Sequence, residues 1–226
     1  MVYREALKER TRLRAPLRWA TTQSNLGTAL RLLGERASGT AELEEAFEAF
    51  RAALKERRHR RAPLQRAATT NDIGVVLGVL GERGNGTSRL KHAIALFRDA
   101  LKERTRKRAP DEWAATLSNL GLALTFLGKR ERGMARLEEA VVAFRKALKE
   151  RTRQHTPFEW ATVQNNLGTA LSDIGERGDT KARLDEAIEA YREALKEWTR
   201  ERVPWQWAKT QNNLEHVPKK LLDFFD

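Results

Sequence analysis

A chain of 226 residues, 40% hydrophobic and 33% charged, is long enough to bury a sizeable core as one large domain or one continuous array. It has no cysteine, which excludes disulfides and thiolate metal sites, and no apolar run reaches the ~18 residues a membrane-spanning helix requires. A formal net charge of +12 brings nucleic acid, or another acidic partner, into consideration. The opening stretch MVYREALKER lacks the apolar core of a signal peptide, so an intracellular, cytoplasmic location is expected.

The string ALKE begins at Ala6, Ala53, Ala100, Ala147 and Ala194, and prolines stand at Pro16, Pro63, Pro110, Pro157 and Pro204, each 47 residues after the last. A fixed period of this size predicts a solenoid in which each unit buries its apolar face against the next. The expected organisation is a single array over 1–226. A partial repeat (second helix only) covers 1–14, full repeats cover 15–61, 62–108, 109–155 and 156–202, and a divergent capping segment covers 203–226.

In chain order, YREALKER reads as a second-type helix without a first. Pro16 then suits the first turn of a helix, where its missing N–H costs nothing, and Trp19, Gln23, Leu26, Leu30 and Leu33 recur at helical spacing. Gly34 is predicted to end that helix and GERASGT to form the turn. Thr40 is the expected cap of the second helix, followed by Glu42, Glu44 and Glu45 near its positive end. Leu43, Ala46, Phe47, Phe50, Ala53 and Leu54 form its apolar stripe, and the helix closes on KERRHRR. The same reading repeats through the chain and leaves no room for strands, so the predicted class is all-α. An interior glycine costs a helix about 1 kcal/mol relative to alanine. Keeping Gly27, Gly74, Gly121 and Gly168 therefore predicts sockets for the rings of Phe50, Phe97, Phe144 and Tyr191. After Asn213 the register fails: Glu215 replaces the glycine, Pro218 breaks the helix, and KKLLDFFD is expected to cap the array.

The Asn-Leu-Gly of the first helix, with Leu30 one turn on and then Ala46, Phe50 and Ala53, recurs in register and resembles the tetratricopeptide repeat family. At 47 residues against about 34, the repeats are similar to the elongated ones of kinesin light chains. The resemblance implies a right-handed superhelix of stacked antiparallel helix pairs. It also implies a concave groove, lined by first-type helices, that binds protein or peptide segments without catalysis.

With Leu26 buried, helical geometry turns Thr21, Ser24, Asn25, Thr28, Arg31 and Leu32 toward such a groove. One position reads Asn25, Asp72, Asn119, Asn166 and Asn213. This ladder of amides can pair with an extended peptide backbone, or can instead brace neighbouring helices. Two further positions read Thr28, Val75, Leu122, Thr169 and Leu32, Val79, Phe126, Asp173, which places a candidate apolar subsite at Val75, Val79, Leu122 and Phe126. The clusters after each second helix supply a candidate basic edge: Arg57, Arg58, Arg104, Arg106, Arg151 and Arg153. Trp19, Trp113 and Trp160 lie nearby and are expected to fill the seams between units. His59, His92, His155 and His216 show no metal-ligand spacing. GERGNGTS lacks the lysine of a phosphate-binding loop, and no nucleophile–base set emerges. The expectation is a non-enzymatic peptide-binding scaffold without cofactor or metal. The alternatives are RNA or polyanion binding along the arginine edge, and a structural spacer or self-association module.

Overall fold

The computed structural model describes residues 2–57, 62–178 and 180–217, so Arg58, His59, Pro218 and the KKLLDFFD tail lie outside the described residues. The described residues form ten helices and no strand, in agreement with the all-α expectation: α1 Val2–Glu9, α2 Pro16–Arg36, α3 Ala41–Glu56, α4 Pro63–Arg83, α5 Ser88–Glu103, α6 Pro110–Glu131, α7 Met134–Ala147, α8 Pro157–Gly178, α9 Lys181–Leu195 and α10 Pro204–Glu215. They cluster into two units, Met1–Arg108 and Ala109–Asp226. In the first, α2 pairs with α3 and α4 with α5, while α3 lies against α4 and α1 against α2. In the second, α6 pairs with α7 and α8 with α9, while α7 lies against α8 and α10 against α9. No helix of the described residues is long and apolar enough to cross a membrane.

Local chemistry sets each start. Ala15, Ala62, Ala109 and Val203 lie outside the helical region, with φ of −148°, −151°, −155° and −146° and ψ of 70°, 62°, 70° and 69°, because the proline that follows each one disfavours it. Just upstream, a threonine closes a tight turn: its Oγ1 accepts from Arg14 N onto Thr11 (3.4 Å), from Arg108 N onto Thr105 (3.3 Å), from His155 N onto Thr152 (3.3 Å) and from Arg202 N onto Thr199 (3.4 Å). The second-type helices stop at Glu56, Glu103, Ala147 and Leu195, so the arginine clusters form the connections rather than the helix ends.

The glycine sockets are as expected. A Cβ on Gly27 would lie 3.0 Å from the Phe50 ring, on Gly74 2.7 Å from Phe97, on Gly121 2.7 Å from Phe144, and on Gly168 2.8 Å from Tyr191. Those rings are at most 2% exposed, and each contributes about 2–3 kcal/mol of burial. A second row of sockets corrects the reading of Gly34 as a helix terminator. Helix α2 continues to Arg36, and a Cβ added to Gly34, Gly81, Gly128 or Gly175 would lie 2.7, 2.8, 2.9 or 2.5 Å from Leu43, Leu90, Leu137 or Leu184 respectively. The turn after α2 therefore shortens to 37–40, and that after α4 to 84–87.

Three further expectations change. Thr40 occupies the N-cap position of α3 but makes no side-chain capping bond. Leu26 is half-buried rather than buried, and Leu33 is 55% exposed, although its counterparts Leu80, Leu127 and Ile174 are at most 2% exposed. Leu80 on α4 and Ile174 on α8 belong to helices that lie against a full second-type helix, α3 and α7, whereas α2 has before it only the eight-residue α1. Among the tryptophans, Trp160 is buried, while Trp19 and Trp113 are half-buried and Arg12 lies 5.9 Å above the Trp19 ring.

One joint was not anticipated. The arginine at the end of a first-type helix reaches back to the carbonyls ending the previous one. Arg83 donates to Gly34 O (2.9 Å), Glu35 O (3.1 Å) and Gly39 O (2.7 Å), and Arg177 donates to Gly128 O (2.9 Å) and Lys129 O (3.4 Å). A cation there satisfies carbonyls that the helix leaves orphaned and complements its negative end.

A matched pair of substitutions isolates the socket. Both Gly121→Ala and Gly78→Ala gain helix propensity, but a Cβ at Gly78 meets nothing within 4 Å. Denaturant titration should show Gly78→Ala stabilised by about 0.5–1 kcal/mol. Gly121→Ala should be destabilised by about 1–3 kcal/mol, because its Cβ collides with Phe144.

Candidate binding faces

The amide positions sit one per first-type helix, but their environments differ. In the first unit Asn25 is exposed on α2 and Asp72 half-buried on α4; in the second Asn119, Asn166 and Asn213 are half-buried on α6, α8 and α10. The residue before the ladder position faces inward on α2, α4 and α8, whereas Ser118 on α6 is half-buried and Asn212 on α10 exposed. Ser24, Asn71 and Asn165 are 9%, 7% and 5% exposed, which removes Ser24 from the groove-facing set expected for it. Asn165 Oδ1 accepts from Thr210 Oγ1 (3.0 Å) and from Asn213 Nδ2 (3.4 Å), while its Nδ2 donates to Asn166 Oδ1 (3.3 Å). Asn213 thus braces α10 against α8, and Asn166 is oriented by its buried neighbour. Asn71 Nδ2 likewise donates to Asp72 Oδ1 (3.4 Å). The doublets Asn71-Asp72 and Asn165-Asn166 were the available sequence signal: two polar residues in succession on a packed helix divide between an inner and an outer role.

The apolar positions remain partly open. On α6, Leu122 is 36% exposed and Phe126 half-buried, one turn apart; on α4, Val75 and Val79 are half-buried with the same spacing. The two pairs belong to different units. Elsewhere these positions are polar or open. Thr28 donates to Ser24 O (3.1 Å), Thr169 Oγ1 accepts from Tyr191 OH (3.2 Å), Asp173 Oδ2 lies 3.2 Å from Lys129 Nζ, and Leu32 is 48% exposed.

The edge arginines divide by position. The leading residue of each cluster is drawn toward its own unit. Arg57 donates to Gln65 O (3.2 Å) and to Thr69 Oγ1, Arg104 is only 9% exposed, and Arg151 donates to Asp111 O (3.1 Å). The later ones, Arg106 and Arg153, are exposed, and Arg153 Nε donates to Glu197 Oε1 (2.6 Å).

Electrostatically, Asp72 stands out. Burial pushes its carboxyl above the ordinary value of 3.8, against the opposing pull of the Asn71 hydrogen bond and of Arg104, Arg31 and Arg57. Burial also lowers Arg57, with Asp72 opposing. A carboxyl raised on folding holds its proton more tightly in the native state, so folding loses stability as pH climbs from the unfolded value through the folded one. The Asp72→Asn variant should therefore be more stable than the parent at neutral pH, with the advantage disappearing below the ordinary carboxylate range. Thermal melts across that interval check it; an advantage that grows on acidification would contradict the assignment.

Comparison with known families adds one finding. The tetratricopeptide repeat model matches residues 113–155 and 160–197, which fall on the pairs α6–α7 and α8–α9. No curated protein matches the chain. With the paired helices and repeated sockets already in place, these two matches identify residues 113–155 and 160–197 as tetratricopeptide repeats.

Proposed function

We propose that the chain is a non-catalytic scaffold that binds an extended protein segment along the groove-lining faces of its first-type helices. Repeats of this family generally mediate protein–protein interactions. The observation that carries the finer reading is on α6, where Asn119, Leu122 and Phe126 share a face and both apolar side chains remain accessible beside a half-buried amide. Accessible apolar groups next to a convergent donor and acceptor provide side-chain pockets and backbone pairing together. On α4, Val75 and Val79 beside Asp72 offer a similar but acidic version, and α8, with Thr169 and Asp173, a polar one. Within the second unit, a ligand crossing from α6 to α8 would thus meet changing chemistry along its length, which is a source of specificity.

Peptides selected from a random library on the immobilised protein provide the probe, with affinity measured by calorimetry. Asn119→Ala combined with Phe126→Ala should weaken binding at least about tenfold, the order of one well-packed anchor plus a hydrogen bond, and affinity should depend only weakly on salt. Unchanged affinity in the double variant would remove the groove reading.

A further inference from the structure

The N-terminal ends of α8 and α10 carry an aromatic cluster used neither by helix pairing nor by the proposed peptide face. Phe158 and Trp205 each follow the proline that opens their helix, and they are 47% and 68% exposed. The hydrogen bonds from Thr210 and Asn213 to Asn165 join residues 45 and 48 apart, which holds α10 beside α8 in the 47-residue register. The two rings therefore occupy the same repeat position on two helices that those bonds hold together. Their base is rigid: the Phe158 ring lies 5.9 Å from Trp198, tilted by 50°, and Trp198 packs with Trp160, Ala161 and Ala194.

One cation lies over Trp205, and two more lie over the neighbouring tryptophans Trp207 and Trp160. Lys209 Nζ lies 5.2 Å from the Trp205 ring centroid, Arg200 5.7 Å from Trp207 and Arg153 6.0 Å from Trp160. Between Lys196 and Lys209 four cations meet two carboxylates. One of those carboxylates, Glu197, is shared by Arg153 (2.6 Å) and Arg202 (3.5 Å). The dipoles of α8 and α10 add partial positive charge at the same rim.

We propose that this patch binds single-stranded nucleic acid, with bases stacking on Trp205 and Phe158 and phosphates held by Arg200, Arg202 and Lys209. Flat rings flanked by cations suit bases that alternate with phosphates, and stacking tolerates any sequence. The exposed carboxylates Glu159 and Glu201 oppose a continuous anionic bilayer, which meets every charge at once, whereas a single strand passes beside them. The patch narrows the expected arginine edge to one end of the second unit. It is independent of the peptide reading, because it leaves the α6 face untouched.

The test is fluorescence anisotropy of a labelled uridine dodecamer with the whole chain at low salt, with tryptophan quenching recorded in parallel. Binding should quench tryptophan emission and weaken steeply with added salt. Trp205→Ala and Phe158→Ala should each weaken it about tenfold or more, while Trp205→Phe, which keeps a stacking face, should retain most of it. Circular dichroism melts confirm folding of each variant, and the Asn119→Ala/Phe126→Ala protein should bind the dodecamer like the parent. Absence of binding, parental affinity in both alanine variants, or capture by phosphatidylserine vesicles but not by the dodecamer would each overturn the proposal.

Discussion

The fold depends on the close approach of two helix backbones at a glycine filled by a ring. Phe50, Phe97, Phe144 and Tyr191 each press onto a first-type helix where any Cβ would intrude, and seven residues later a leucine does the same at Gly34, Gly81, Gly128 or Gly175. Seven residues are close to two helical turns, so both sockets lie on one face and two points define how the helices run together. Because that face is committed to its partner, only the other faces of a first-type helix are left for neighbouring helices and for solvent.

Charge follows the same register. In the first unit Arg4 reaches Glu45 (2.5 Å), Arg12 reaches Glu56 (2.6 Å) and Arg89 reaches Glu44 (2.7 Å). In the second, Arg145 pairs with Glu186, Arg153 with Glu197 and Arg183 with Glu138. Partners lie 41, 44 or 45 residues apart, just short of one repeat, so each bond links successive second-type helices or the connections after them. Such exposed pairs are individually weak, and their use is to disfavour a slipped register. Much of the arginine content is thereby engaged within the chain, and a net charge of +12 overstates the cationic surface offered to a partner.

The amide positions show how one repeated residue acquires several roles. Asn25 is open, Asn166 is held by Asn165, Asn213 braces a neighbouring helix, and Asp72 is a carboxyl among arginines. Bracing is therefore the role of some members of the row and not of all of it.

The sequence alone determined the helical class, the period, the proline starts and the ring sockets, because each is a local or strictly periodic constraint: a fixed φ, a missing Cβ, an apolar residue every three or four positions. It misjudged Gly34, since a glycine near a turn looks the same whether it ends a helix or admits a leucine, and only the packed second helix distinguishes the two. Leu33 and Ser24 were misplaced for a related reason: exposure depends on what the neighbouring pair covers. The reach of Arg83 and Arg177 to carbonyls 44 to 49 residues away, and the inward turn of Arg57 and Arg104, were equally invisible. A long side chain has several partners within range, and tertiary packing decides which of them is buried beside it.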